Sequence, residues 1–466
     1  MIPLTAPGIA EAAGVRLIQR GDKPGLSIGR VSTDTRDMQR GCLFVALKGS
    51  RYDAHDYLDQ ALEAGAAALL VSRVSPGLLR EAKRKGAAVL QARSTMKAMN
   101  RLAASQRSLL EAPVIAVTGS TGKTLTKDFA AAVLGSAGRV TASHASYNNE
   151  IGVPLTILDI STRTRFLVLE MGSRGRGHID ELCSLARPDI GVVTNIGWTH
   201  MQFFRTRDNL ALAKAELLRS LPAEGRAVIN KDDDYERFLS RSSPAPVVAF
   251  GCSREADVRA ENIEIDAEGK ATFMLKTKGG GKAEVVLPLP GRHNVENALA
   301  AAAVGEIMGV SAESIAESIG KAETTGWRME MITKSEEITI INDSYNANPV
   351  SMRSALTALG DISRKKRAIA VLGDMGELGP VSEEAHKEVG GMAVECGTDI
   401  LITVGRKARK IAQSARSNGL PKGSVFSTQG VENAAEILRA IIEPGDVILI
   451  KGSRFLGLER LVDMVA

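Results

Sequence analysis

The chain reads as an α/β protein of three domains: a small N-terminal unit over residues 1–93, a central unit with a mostly parallel sheet over 94–326, and a doubly wound C-terminal unit over 327–466. Three observations predict this. Residues 114–129, VIAVTGSTGKTLTKDF, pass from an apolar β-branched run through a glycine turn into a helix-compatible run. Strand-length apolar runs alternate with helical ones along most of the chain, the pattern of parallel sheets covered on both faces. The length of 466 residues exceeds what one core fills.

In the first unit, strands are expected at 27–32, 42–47 (CLFVAL) and 67–71, with a helix over 57–64. Polar residues follow two of these strands, at Asp34-Thr35-Arg36 and at 48–55 (KGSRYDAH). Such positions fit a ligand-binding sheet edge, and they fit solvated loops equally well. A helix over 95–110 leads into the central unit, where strands are expected at 166–169, 190–194 and 227–229. Alternation over 271–275, a triple-glycine turn at 279–281 and a second alternating run at 283–287 predict an antiparallel hairpin within 257–287. From Trp327 onward, strands are expected at 338–341, 368–372, 400–404 and 447–450, with helices between them.

The turn in 114–129 carries the chemistry of phosphate binding. Gly119 and Gly122 let the backbone turn sharply and present its N–H groups to an anion at the positive end of the following helix. Lys123 supplies a charge for the outer phosphates, and the Thr124 hydroxyl is placed to ligand magnesium. The common pattern has four residues between its glycines. Here only Ser120 and Thr121 intervene, and Val117 stands where the first glycine would be.

Composition narrows the ligand class. Aromatic residues are 4% of the chain, too few for the stacking platforms of single-stranded nucleic-acid binders. The formal charge of +5 is spread without a long basic run, which suits small anions rather than a polynucleotide. Cys42, Cys183, Cys252 and Cys396 lie far apart, which disfavours a zinc site or disulfide framework and points to the cytoplasm. No basic segment followed by an apolar leader opens the chain, and no apolar stretch is long enough to span a membrane.

Several polar residues sit where chemistry is placed in such folds. Glu170 ends the strand FLVLE, at the ligand end of a phosphate-loop sheet, where a carboxylate can hold a metal directly or through water. His200, after GVVTNIGWT, can ligand a divalent cation or serve as a packed structural histidine. Lys214, within NLALAKAELL, can extend to solvent or, if buried, react with carbon dioxide to give an anionic carbamate ligand. Asn148 and Asn149 precede IGVP, and His293, Asn294 and Asn297 open a helix that Asn294 can cap. The third unit offers WRME at 327–330, NDSYNANP at 342–349, LGDMGELG at 372–379 and IKGSR at 450–454. All but the first follow strands, so a cleft facing a nucleotide is expected at that edge.

Together these segments resemble the Mur ligase family, ATP-dependent amide-forming enzymes of peptidoglycan precursor synthesis. The loop Thr118-Gly119-Ser120-Thr121-Gly122-Lys123-Thr124 is similar to that family's ATP loop, which accounts for the missing glycine. DSYNANP and LGDMGELG resemble the branch that adds D-alanyl-D-alanine; a DYAHNP-like stretch would mark the tripeptide-synthesising branch. The resemblance implies a central phosphate-loop domain flanked by an N-terminal UDP-sugar domain and a C-terminal Rossmann-like dipeptide domain. It implies a monomer that takes ATP, magnesium (two ions), UDP-N-acetylmuramoyl tripeptide and D-alanyl-D-alanine. Lys123 and Thr124 would hold the ATP phosphates and magnesium, and Glu170 and His200 would be metal ligands beside a carbamylated Lys214. Asn294 and Asn297 would border the adenine, while Arg328 and Asp343 would reach ATP from the third domain. Asn148 and Asn149 would touch the sugar peptide, Thr35 and Arg36 its uridine end, and Asn346 and Asn348 the substrate side of the C-terminal cleft.

Overall fold

Short β-branched runs pair in register to form the expected α/β architecture in a computed structural model, described for residues 1–23, 25–49, 52–333, 338–364 and 366–465. Ser50 and Arg51 of the 48–55 loop lie outside the described residues. The chain divides into two units, one of Met1–Ala116, Gly138–Gly172 and Ile179–Asp189, the other of Val117–Ala137, Ser173–His178 and Ile190–Ala466.

The first unit holds a five-stranded sheet in the order Arg16–Gln19, Ala88–Gln91, Ala68–Val71, Leu43–Val45, Val31–Ser32. Arg16–Gln19 pairs antiparallel to its neighbour and the rest are parallel. The strand expected at 27–32 shrinks to Val31–Ser32, because only those two residues pair with Leu43 and Phe44, while Ile28 bridges to Leu4. The helix expected at 57–64 forms over Leu58–Glu63, after a tight turn Ala54–Tyr57 that the Asp53 side chain caps. His55 in that turn is a structural hub. Its Nδ1 lies 2.6 Å from Asp53 Oδ1, and its Nε2 accepts from the Ser72 N–H at 2.9 Å, tying the loop to the end of the neighbouring strand. This unit also contains the parallel pair Val140–Ala142 and Phe166–Glu170.

In the second unit, strands Ile190–Val193, Arg226–Asn230, Val247–Gly251 and Val258–Ile265 run parallel in that order. Lys270–Lys276 and Lys282–Pro290 follow antiparallel, so the expected hairpin is joined by a third strand, Val258–Ile265, whose charged residues hid it. The helix Asn294–Ile307 packs against both the helix Lys123–Gly135 and these parallel strands. It is buried nearly all round, which its run of alanines makes possible at close helix spacing.

The C-terminal sheet has the order Glu330–Thr333, Thr339–Asp343, Val447–Lys451, Ala368–Gly373, Ile400–Val404, Val425–Thr428, parallel except for the first pair. Asp343, Lys451 and Leu372 are register neighbours, so the polar loops at 343–349, 372–379 and 451–454 leave the sheet at one edge. At the opposite end of the same strands, Arg367 donates to both carboxylate oxygens of buried Asp446, at 2.8 and 2.7 Å. The pair fixes the starts of the two strands that carry Leu372 and Lys451. Arg367→Ala would leave the Asp446 carboxylate buried without its cation, and is expected to lower stability by about 2–4 kcal/mol in urea unfolding. A loss within about 0.5 kcal/mol, the size of an ordinary surface substitution, would mean the pair does not anchor the sheet.

Candidate active site

The phosphate loop is shaped by what lies against its two glycines. Gly119 has φ +146° and Gly122 φ +77°, and a Cβ on either would overlap a neighbouring side chain, Thr194 Oγ1 in the first case and Asn297 Oδ1 in the second. Glycine is needed at both positions for conformation and for space. The loop after Ile190–Val193 holds the turn from outside. Thr194 Oγ1 donates to Thr121 O at 2.6 Å, Asn195 Oδ1 accepts from the Thr121 N–H at 3.1 Å, and the Ser120 hydroxyl accepts from the Gly197 N–H at 2.8 Å. Lys123 folds back, donating to Gly119 O at 3.0 Å and Ser120 O at 3.1 Å. Thr118 and Thr124 are buried. Thr194 and Asn195 are positioning residues that sequence reading missed, although the TN after an apolar strand marked a polar strand end.

His200 and Lys214 stand in the same unit. His200 has a left-handed backbone (φ 55°), and its Nδ1 lies 2.5 Å from Glu377 Oε2 of the LGDMGELG loop. Burial, with help from Lys123 and Lys214, holds its imidazole below the ordinary range against the opposing pull of Glu377. The hydrogen bond from His200 holds the Glu377 carboxyl below its usual range. Glu377 also accepts through its backbone from the Gln202 N–H at 3.1 Å and pairs with Arg174 at 3.4 Å. Lys214 is only 1% exposed and donates to Ser173 Oγ at 3.1 Å, so its side chain does not extend to solvent.

At the C-terminal edge, Asp343 Oδ2 lies 2.5 Å from Lys451 Nζ, which also donates to Asn346 O at 3.0 Å. Arg328 lies with its guanidinium 4.0 Å over the Tyr345 ring. Asn348 caps the helix Pro349–Ser363, its Oδ1 accepting from the Ser351 N–H at 2.9 Å, while Asn346 Oδ1 accepts from the Ala347 N–H. The LGDMGELG loop is anchored at three points, of which only His386 lay outside the segments read from the sequence. Asp374 Oδ1 accepts from Ala408 N–H, Ser453 Oγ from Gly376 N–H, and buried His386 accepts from Met375 N–H while its other nitrogen donates to Ser382 O.

In the first unit, buried Glu170 accepts from Asn148 Nδ2 at 2.7 Å. Asn149 Oδ1 accepts from the N–H groups of Ile151 and Gly152, shaping the start of the helix Gly152–Leu158. Thr35 donates to Gln60 Oε1 at 3.4 Å, and exposed Arg36 pairs with Asp34 at 2.6 Å. Among the described residues, no group of three or more His, Cys, Asp or Glu is assembled as a metal site.

The helix start links the phosphate loop to the C-terminal edge. Asn297 meets Gly122, and Asn294 donates to Pro290 O at 2.7 Å and accepts from Asn297 Nδ2 at 3.1 Å. Asn294 is therefore not the cap read from the sequence; His293 holds that position without a side-chain cap. His293 feels both Asp343 and Lys451, and burial pushes its pKa down to about 4. A cavity of about 670 Å³ opens beside it, lined by Trp198, His293, Glu296, Val350, Ala385 and Met392 among others. Burial raises the Glu296 carboxyl. Because the unfolded chain takes up a proton at His293 below pH 6.5 and the folded protein refuses it until about pH 4, stability falls through that window. His293→Gln is expected to flatten this part of the decline in thermal midpoint. An unchanged acid limb would show that His293 is not its source.

Comparison with known proteins accounts for all three sheet-bearing segments. Residues 27–107 match the Mur ligase family catalytic domain, 117–305 the Mur ligase middle domain and 327–454 the Mur ligase glutamate ligase domain. The UDP-N-acetylmuramoyl-tripeptide--D-alanyl-D-alanine ligase of Bacillus subtilis is 36% identical over 432 residues, covering 93% of this chain and 92% of the relative. A crystal structure of MurF from Acinetobacter baumannii superposes with a TM-score of 0.84 at 30% identity, over 99% of this chain and 98% of that one. The MurF ligase of Thermotoga maritima, solved in complex with ADP, gives a TM-score of 0.78 at 27% identity, over 94% and 96% of the two chains. With its short phosphate loop, its three matched domains and a relative similar along nearly its whole length, this chain belongs to the Mur ligase family.

Proposed function

We propose that this protein joins the amine of D-alanyl-D-alanine to the terminal carboxylate of UDP-N-acetylmuramoyl tripeptide, driven by ATP. The observation that carries this reading is the helix start at 293–297, which meets the phosphate loop at Gly122 while its His293 lies within electrostatic range of the Asp343–Lys451 pair of the DSYNANP and KGSR loops. A nucleotide on the loop then lies within reach of the segments that resemble the dipeptide-adding branch. The names of the full-length relatives support the same reaction.

The chain's residues supply binding, charge and exclusion of water. The N–H groups of residues 119–124 cradle the phosphates at a helix start. Lys123, which now donates to its own loop's carbonyls, turns to the γ-phosphoryl group. Thr124, Glu170, His200 and a carbamylated Lys214 would hold two magnesium ions, which neutralise phosphate charge when bound. Asn294 and Asn297 border the adenine, and Arg328 and Asp343 reach ATP from the C-terminal segment. Asn148, Asn149, Thr35 and Arg36 hold the UDP-sugar peptide, and Asn346 and Asn348 line the dipeptide side. The γ-phosphoryl group passes to the tripeptide carboxylate, giving an acyl phosphate and ADP. The dipeptide amine attacks that carbonyl, and the tetrahedral intermediate expels phosphate. The Glu377–His200 contact brings the C-terminal loop to the reaction side and helps exclude water that would hydrolyse the acyl phosphate. We place domain limits at 93/94 and 326/327, and take the working form to be a cytoplasmic monomer.

The test is phosphate release by the purified protein with ATP, magnesium and UDP-N-acetylmuramoyl tripeptide, with and without D-alanyl-D-alanine. Release should require the dipeptide and yield a pentapeptide product by mass. Release with a different amine would assign another amide ligase of the family, and no turnover with any amine would indicate a silent nucleotide-binding protein. Lys123→Ala should lower turnover about a hundredfold or more with an unchanged circular dichroism spectrum; near-normal turnover would remove Lys123 from the chemistry. Gly122→Ala, forced against Asn297, should weaken ADP binding in calorimetry by at least about tenfold, so unchanged affinity would contradict the cradle described for the loop.

A further inference from the structure

The turn that joins the central segment to the C-terminal sheet is held in a conformation that its residues do not favour. Trp327 has φ 62° and Met329 φ 53°, both left-handed, on either side of Arg328. Bulky residues adopt this region rarely, and such backbone persists where the surroundings over-determine it. Main-chain contacts fix part of the turn. Trp327 N–H donates to Glu330 Oε2 at 3.1 Å, Trp327 O accepts from Tyr345 N–H at 3.2 Å, and Met329 N–H donates to Asp343 Oδ1 at 3.3 Å.

The Trp327 side chain is held by Arg454, the last residue of the KGSR segment. The Arg454 guanidinium lies 4.0 Å from the Trp327 ring centroid and 5.9 Å from that of Tyr345, and Glu459 pairs with it at 3.5 Å. Arg328 lies on Tyr345 in turn, with its Nε buried and without a hydrogen-bond partner. Two guanidinium groups and two aromatic rings thus form one stacked ladder, built from the turn, the loop after Thr339–Asp343 and the loop after Val447–Lys451. A planar guanidinium suits such a stack, whereas an ammonium is a compact point charge.

We propose that Arg454 is a positioning residue for nucleotide binding: by stacking on Trp327 it keeps the 327–329 turn in its left-handed form and so keeps Arg328 presented to the nucleotide. The inference rests on the reading that Arg328 contacts ATP. The contacts of Arg454 are with Trp327, Tyr345 and Glu459, so its loss acts on nucleotide affinity ahead of turnover.

The experiment compares full-length Arg454→Ala, Arg454→Lys and Arg328→Ala by ADP calorimetry and steady-state kinetics. Arg454→Ala should raise the ADP Kd and the KM for ATP about tenfold, with kcat and the KM for the peptide substrate within about twofold. Arg454→Lys should fall between it and the parent, and carries the comparison should the alanine variant fail to fold. The chain has two tryptophans, so a Trp198→Phe background reports Trp327 alone, and its emission should shift when Arg454 is replaced. If Arg328→Ala weakens ADP binding and the Arg454 variants do not, the positioning role is overturned by itself. If Arg328→Ala leaves ADP binding unchanged, the nucleotide contact of Arg328 falls and the positioning role falls with it. Trp327 emission that ignores Arg454 would show that the stack is not formed in solution.

Discussion

The backbone of Gly122 lies against the Asn297 side chain so closely that no side chain fits between them, and the nucleotide side of the protein is arranged around this approach. It fixes the distance between the phosphate-loop helix and the helix Asn294–Ile307. The second helix in turn places His293 within electrostatic range of Asp343 and Lys451. On the loop's other side, Thr194 and Asn195 take up the donors and acceptors of Thr121, so the turn is preorganised before any phosphate arrives. Preorganised donors need not rearrange as charge develops, which is where most of their effect on rate originates.

Two features of the C-terminal segment bear on this region, one by charge and one by contact. One is the Asp343–Lys451 pair at the centre of the sheet edge, and the other is the LGDMGELG loop, whose Glu377 meets His200. That loop is braced from within by Asp374, His386 and Ser453. A histidine held at Nδ1 by a carboxylate presents its other nitrogen in a fixed direction, an arrangement common behind metal-binding imidazoles. The contact therefore couples placement of the C-terminal loop to the orientation of His200.

Much of this was legible in the sequence. The strand, glycine turn and helix at 114–129, the strands Phe166–Glu170, Ile190–Val193, Arg226–Asn230, Thr339–Asp343, Ala368–Gly373, Ile400–Val404 and Val447–Lys451 and the loops leaving their ends follow from apolar runs and turn residues, whereas the parallel strands Val140–Ala142, Val247–Gly251 and Val425–Thr428 were not read. Short or mixed strands were not. Arg16–Gln19 and Val258–Ile265 carry charged residues on strands at or near a sheet margin, where apolar runs are not required. At the site, residue types gave candidates but not partners. Asn348 shows why: its side chain caps a helix, a use that the NANP spacing allowed but could not distinguish from substrate contact. Asp374 and Glu377 stood in the LGDMGELG segment without their partners being readable, and His386, which acts from the following helix, gave no local signal.

The helix Asn294–Ile307 has one more consequence. Its alanines at 298 and 300–303 are buried in a helix that packs on the phosphate-loop helix and the strands, where interiors are close-packed. A larger side chain there, within two turns of Asn297, would displace the helix axis and carry Asn297 with it. The geometry of the phosphate cradle is thus set partly by volume at positions that never meet a ligand, and the site's tolerance to change is governed by a hydrocarbon spacer as much as by its polar residues.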